Sequence, residues 1–129
     1  MRQWIIIAAV SGFLAVALGA FGAHLLEDRI SEHYLGVWET AVQYQMFHTG
    51  GLLAIGVLLN FVPSKHLVRA GWLMTAGIVF FSGSLYILAL SGIGILGAIT
   101  PIGGILFLAA WVFIILALLG QSKNKGRVA

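Results

Sequence analysis

The chain has 129 residues, 60% of them hydrophobic and only 9% charged, with a formal net charge of +3 and no cysteine. A soluble domain carries roughly 25% charged residues, so this composition excludes a water-facing globule and makes lipid the solvent; the length allows one domain. The missing cysteines exclude disulfides, thiolate metal sites and thiol-exchange chemistry. The positive charges stand at segment ends and in the tail, which suits anionic lipid headgroups and not nucleic acid.

Four apolar stretches follow in order: Trp4 to Leu26, Ala41 to Val62, Ala70 to Leu90 and Ile102 to Leu119. About 20 residues at 1.5 Å rise cross a hydrocarbon core of about 30 Å, and helices satisfy their own backbone groups there. The expected architecture is an all-α, integral-membrane four-helix bundle, a single domain over residues 1–129. Its helices are expected at about 4–26, 36–62, 67–90 and 101–120, with a basic tail at 121–129 that frays. Ala15-Val16-Ala17 resembles a leader cleavage site, but the apolar run continues past it and reads as a span. Glu27 to His33 and Pro63 to His66 are short connections. Ser91 to Ile99 is glycine-rich and apolar, suited to the interface or to folding back over the bundle. Thr100-Pro101 reads as an N-cap followed by proline at the first helical position.

With four spans, Arg2, Lys65, Arg69, Lys123, Lys125 and Arg127 fall on one side and Arg29 alone on the other. The positive-inside rule then places both termini in the cytoplasm. Trp4 and Trp72 are expected at the inner interface and Trp38 at the outer one. Trp111 falls near mid-membrane, where its indole N–H needs an acceptor on a neighbouring helix.

Small residues suggest where helices meet. Ser11, Ala15, Gly19 and Ala23 recur every fourth residue, with Ala8, Gly12 and Ala20 on an adjacent ridge. Gly50, Gly51, Ala54, Gly83, Gly103 and Gly104 offer similar surfaces. Polar residues within spans face the bundle interior. By depth, His24, Gln43, Tyr44, Gln45, His48, Ser82, Ser84, Tyr86 and Thr100 all fall in the outer half. Thr40, Tyr44 and His48 share a helical face, and His48 is the most deeply placed ionisable group. This cluster reads either as a small ligand-binding site or as interhelical hydrogen bonding, with Tyr44, His48 and Ser84 expected in one network.

Several functions fall away. Glu39, at the rim, is the one carboxylate near a span, which argues against a proton-coupled exporter; the charge bias argues against a dual-topology channel. Ser82 and Ser84 have no buried acid for hydrolase chemistry, and no phosphate-binding or zinc-protease motif is present. A binding or accessory protein remains, for a lipid, quinone or other small amphiphile, with membrane lipids and a homo-oligomeric or membrane-protein partner as its company. The alternative is a haem, metal or catalytic protein using His24 and His48. Their depths differ by roughly 8 Å at 1.5 Å per residue, which disfavours one iron shared between them and leaves a single-histidine site on His48 open; the expectation is a protein with no metal, no cofactor and no enzyme activity.

Taken together, GAFGAHLL (Gly19 to Leu26), WETAVQYQMFHT (Trp38 to Thr49), FFSGSLYILAL (Phe80 to Leu90) and TPIGGILFLAAW (Thr100 to Trp111) resemble the YgdD/YwdK family. These are small bacterial membrane proteins with a related small transmembrane protein in eukaryotes. The resemblance spans nearly the whole chain and implies four spans in the bacterial cytoplasmic membrane. It implies no reaction.

Overall fold

The computed structural model describes the backbone of residues 2–128 and the side chains of residues 2–121. Among the described residues there are four helices and no strand. Helix α1 spans Arg2–Phe21 and continues as a π-helical turn over Gly22–Leu26. Helix α2 spans Glu32–Leu58. Helix α3 covers Lys65–Ser91, with a π-helical segment at Ile78–Gly83. Helix α4 covers Thr100–Val128 and so takes in the stretch read as a basic tail, whose side chains from 122 on lie outside the described residues.

The helix ends have local causes. Ser31 starts α2 by accepting the Tyr34 N–H at 3.2 Å, so α2 begins earlier than its apolar run. Ser64 accepts the His66 N–H in the same way at the start of α3. Gly92, at φ 69°, takes the left-handed conformation that ends α3, and its N–H returns to the Leu88 carbonyl. A 3-10 turn at Gly94–Ala98 then leads into α4, with Ile93 and Ile95 exposed. The first bonds of α4 go to the Ile99 carbonyl. Thr100 is therefore not the cap that its place before Pro101 suggests, and its hydroxyl turns instead to Ser84 on α3 at 2.7 Å.

Successive helices run antiparallel. Along α1 and α2, Ile5 lies by Gly56, Ser11 by Thr49, Gly19 by Val42 and Gly22 by Trp38. Along α3 and α4, Gly77 lies by Phe107, Phe81 by Gly103 and Ser84 by Thr100. Helices α2 and α3 form the central pair; α1 leans on α2 and α4 on α3. One core, built on Trp4, Leu52, Ile55, Leu67, Met74 and Phe107, fills the half of the bundle nearer the termini. A smaller one, around Leu26, Trp38, Val42 and Ala89, closes the opposite end.

Polarity is inverted relative to a soluble bundle. Ser11, Gln45, His48, Ser82 and Ser84 are buried, while Phe13, Phe61, Ile95 and Leu108 are exposed. An apolar exterior around polar contacts is the arrangement lipid selects. Helices α1, α3 and α4 are each long and apolar enough to cross a membrane. At 27 residues α2 is also long enough, about 40 Å at 1.5 Å per residue, but Gln43, Tyr44, Gln45 and His48 lower its hydropathy.

Two of the tryptophans near the span ends are turned into the bundle. Trp4 is fully buried against Gly71, where a Cβ would come within 2.9 Å of the indole, and it packs edge-on to Trp72, which is exposed. Trp38 is buried too, over Gly22, and donates its indole N–H to the Leu18 carbonyl at 2.9 Å. In both cases a glycine on the facing helix opens the slot that draws the ring inward. The small-residue ridge of α1 is used in part: Ala8, Ser11 and Ala15 are buried, whereas Ala20 and Ala23 face outward and Gly22 carries the contact on.

Candidate functional site

The polar residues that sequence places together fall into separate groups in the fold. In the first, Gln45 on α2 reaches both neighbouring helices. Its amide nitrogen donates to the Ser11 carbonyl at 3.0 Å, and its oxygen accepts the Tyr86 hydroxyl at 2.6 Å. The Ser11 hydroxyl also meets Thr49 at 2.7 Å. This chain of bonds ties α1, α2 and α3 together, as interhelical polar contacts do in lipid. In the second group, Ser84 bridges to Thr100 and also donates to the Phe81 carbonyl at 2.9 Å. Ser82 donates to the Ala41 carbonyl at 2.8 Å, joining α3 to α2.

His48 forms the third group. Its Nδ1 lies 2.7 Å from the Tyr44 carbonyl, which can only accept, so Nδ1 carries the proton. Its Nε2 lies 3.2 Å from the Trp111 indole nitrogen, which can only donate, so Nε2 offers the lone pair. Trp111 thus finds its acceptor on a neighbouring helix, as its mid-span position requires. The imidazole also stacks on Phe107, with centroids 3.5 Å apart and planes 10° from parallel. His48 and Ser84 share no hydrogen bond, so the expected network of Tyr44, His48 and Ser84 is divided: Tyr44 joins it through its carbonyl alone, and Ser84 belongs elsewhere.

The remaining expected residues are at the surface. His24 is exposed on the last turn of α1. The register sets Thr49 against Ser11 and Gly12, which puts His48 level with about residue 12. His24 then stands roughly 18 Å further along the bundle at 1.5 Å per residue, a wider gap than span midpoints imply. Iron shared by the two histidines does not fit this geometry. Nor does a metal on His48 alone, since its lone pair already accepts the Trp111 proton.

Beside His48 a groove of about 800 Å³ opens sideways between α2 and α4. Gln43, Tyr44, Phe47 and His48 line it from α2; Pro101, Gly104, Ile105, Phe107 and Leu108 from α4; Phe81 from α3. Its size falls within the roughly 300–1,000 Å³ of small-molecule sites. The groove exists because α2 and α4 do not pack backbone to backbone: bulky Trp111 and Phe107 hold them apart, and Gly104 opposite has nothing within 4 Å of where its Cβ would be. Tyr44 and Phe47 stay 43% and 65% exposed along it. Among the described residues neither the Gln43 amide nor the Tyr44 hydroxyl has a hydrogen-bond partner.

Residues 18–104 match the family described as protein of unknown function DUF423. The chain belongs to the DUF423 family. It is 53% identical to the UPF0382 membrane protein of Staphylococcus epidermidis over 92% of this chain and 97% of that one. It is 52% identical to the UPF0382 membrane protein YwdK of Bacillus subtilis over 91% of this chain and 96% of that one, in line with the YgdD/YwdK resemblance. No solved structure matches the chain with statistical significance. The relatives are named membrane proteins of bacteria, and the apolar exterior agrees.

In this DUF423 protein, site reasoning from sequence missed three contributors. Thr49 reads as an ordinary span residue and Ser11 only as part of a small-residue ridge, yet they complete the Gln45 chain. Phe107 carries no polar signal, yet it is the floor on which His48 rests. The four-residue spacing of Gln45 and Thr49 could have pointed to the first of these; nothing local to the sequence points to Phe107.

Proposed function

We propose that the protein spans the bacterial cytoplasmic membrane four times with both termini inside, and holds a small membrane amphiphile in the groove between α2 and α4 without transforming it chemically. The orientation is supported by the Lys and Arg bias between the two ends of the bundle. In that orientation the groove opens to the outer leaflet. The binding reading rests on one observation above all: Gln43 and Tyr44, whose side chains have no hydrogen-bond partner among the described residues, line a groove whose other walls are apolar apart from His48. Such groups are costly in hydrocarbon unless something bonds them, and an amphiphile with its head at Gln43 and Tyr44 and its chain along α4 does so. A non-enzymatic role is supported by the chemistry at hand, since His48 has both nitrogens committed and no carboxylate lines the groove.

The test uses Gly104→Leu, which fills the groove from a position that meets no neighbour. Native mass spectrometry after extraction and washing is expected to show an amphiphile retained by the parent protein and lost from the variant. Equal retention, or none in either, would sink the reading.

A further inference from the structure

Resting on the amphiphile reading, we infer that the occupant of the groove is uncharged and carries a planar ring bearing carbonyl oxygens on an alkyl or isoprenoid tail, the chemistry of a membrane quinone. Three observations select this class. No Lys, Arg, Asp or Glu lines the groove, and the one imidazole is fixed as a neutral donor to Tyr44 and acceptor from Trp111. A phosphate head placed there would have no counter-charge, and an unpaired ion in a dry site is strongly disfavoured.

Rings line the walls, and those of Tyr44, His48 and Phe107 are nearly parallel, while Phe81 stands 50° to Phe107 and Phe47 79° to His48. Tyr44 lies 29° from Phe81, 24° from Phe107 and 14° from His48. A flat head sliding in along the open Tyr44 face continues that stack, as offset aromatic packing favours. A saturated acyl chain gains nothing from ring alignment. The unpartnered groups also match a ring carbonyl: the Gln43 amide and the Tyr44 hydroxyl each bring an N–H or O–H donor, and a quinone head supplies acceptors alone.

The probe is a decyl-tailed benzoquinone titrated into the full chain in phosphatidylcholine nanodiscs, read by tryptophan quenching. Trp111, 5.6 Å from Phe47 on the groove wall, is the nearby reporter. Saturable quenching at about one probe per chain is expected, abolished in Gly104→Leu and in Ile105→Phe, which blocks the groove from a second lining position. In the double variant Gln43→Leu/Tyr44→Phe, affinity is expected to fall roughly tenfold, the loss of two ordinary hydrogen bonds. Quenching that rises linearly and equally in all variants overturns the inference, as does displacement of the quinone by equimolar decyl phosphate. Should Gly104→Leu strip a co-purifying phospholipid while the quinone never saturates, the ring assignment falls and the amphiphile groove stands. If Gly104→Leu changes neither, both fall.

Discussion

His48 shows how little of a buried histidine's role its position alone conveys. Depth makes it the strongest candidate for chemistry, but the Tyr44 carbonyl fixes its proton and Trp111 takes its lone pair. What it does is hold α2 to α4 at the closed edge of the groove, with Phe107 beneath it. Interhelical hydrogen bonds in membranes average about 0.6 kcal/mol and reach about 1.7. A double-mutant cycle of His48→Ala with Trp111→Phe, followed by unfolding in micelles, is expected to show coupling of that order. The cycle of His48→Ala with Ser84→Ala is expected to be additive, because the two residues bond to different partners. Coupling in the second cycle and none in the first would contradict this division. The polarity of His48 was legible in the sequence; its partner was not, because Trp111 is 63 residues away.

At the scale of the helix, the π-helical segment of α3 decides which residues meet the site. Buried residues run Leu67, Ala70, Gly71, Met74 and Gly77, then step to Ser82 before continuing at Ser84, Leu85 and Ala89. The five-residue step is what one wider turn produces. It brings Ser82 against Ala41 and Ser84 against Thr100. An evenly apolar run gives no sign of it, since hydropathy has no contrast to shift in phase. Glycine doublets show the same limit. Gly103 and Gly104 are equivalent in sequence, yet a Cβ on Gly103 would lie 2.6 and 2.7 Å from the Phe81 Cβ and Cα, whereas one on Gly104 meets nothing. Backbone cannot yield as a side-chain tip does, so Gly103→Ala is expected to cost about 1–3 kcal/mol and Gly104→Ala close to nothing. Thermal unfolding of the two variants in the same detergent checks this; equal stability would mean that α3 and α4 do not approach so closely.

Among the described residues, the bundle buries its interhelical polar contacts beside two apolar cores and leaves many large apolar side chains on its exterior. The pairing of α1 with α2 and of α3 with α4 leaves α2 and α4 bridged by side chains alone, and the groove is the consequence. Reporter fusions after Ala129 and between Glu27 and Ser31 are expected to report cytoplasm and exterior respectively. An exterior C-terminus would reverse the leaflet that the groove faces and end the positive-inside reading.

Composition and segment length determined by themselves that this chain folds as apolar helices in a membrane, because a chain with so few charges has no other solvent and a helix alone satisfies its backbone there. Four family motifs told as much about kinship. Depth along each span also brought Gln45, His48, Ser82, Ser84, Tyr86 and Thr100 to one half of the bundle, since depth depends only on counting residues. Rotation about each helix axis does not. In spans that are apolar on every face, no amphipathic contrast says which side turns inward. Only packing decided that Trp4 and Trp38 sink into glycine slots, that His24 stays outside, and that Gln43 and Tyr44 turn toward a groove while Gln45, one residue on, is sealed between three helices.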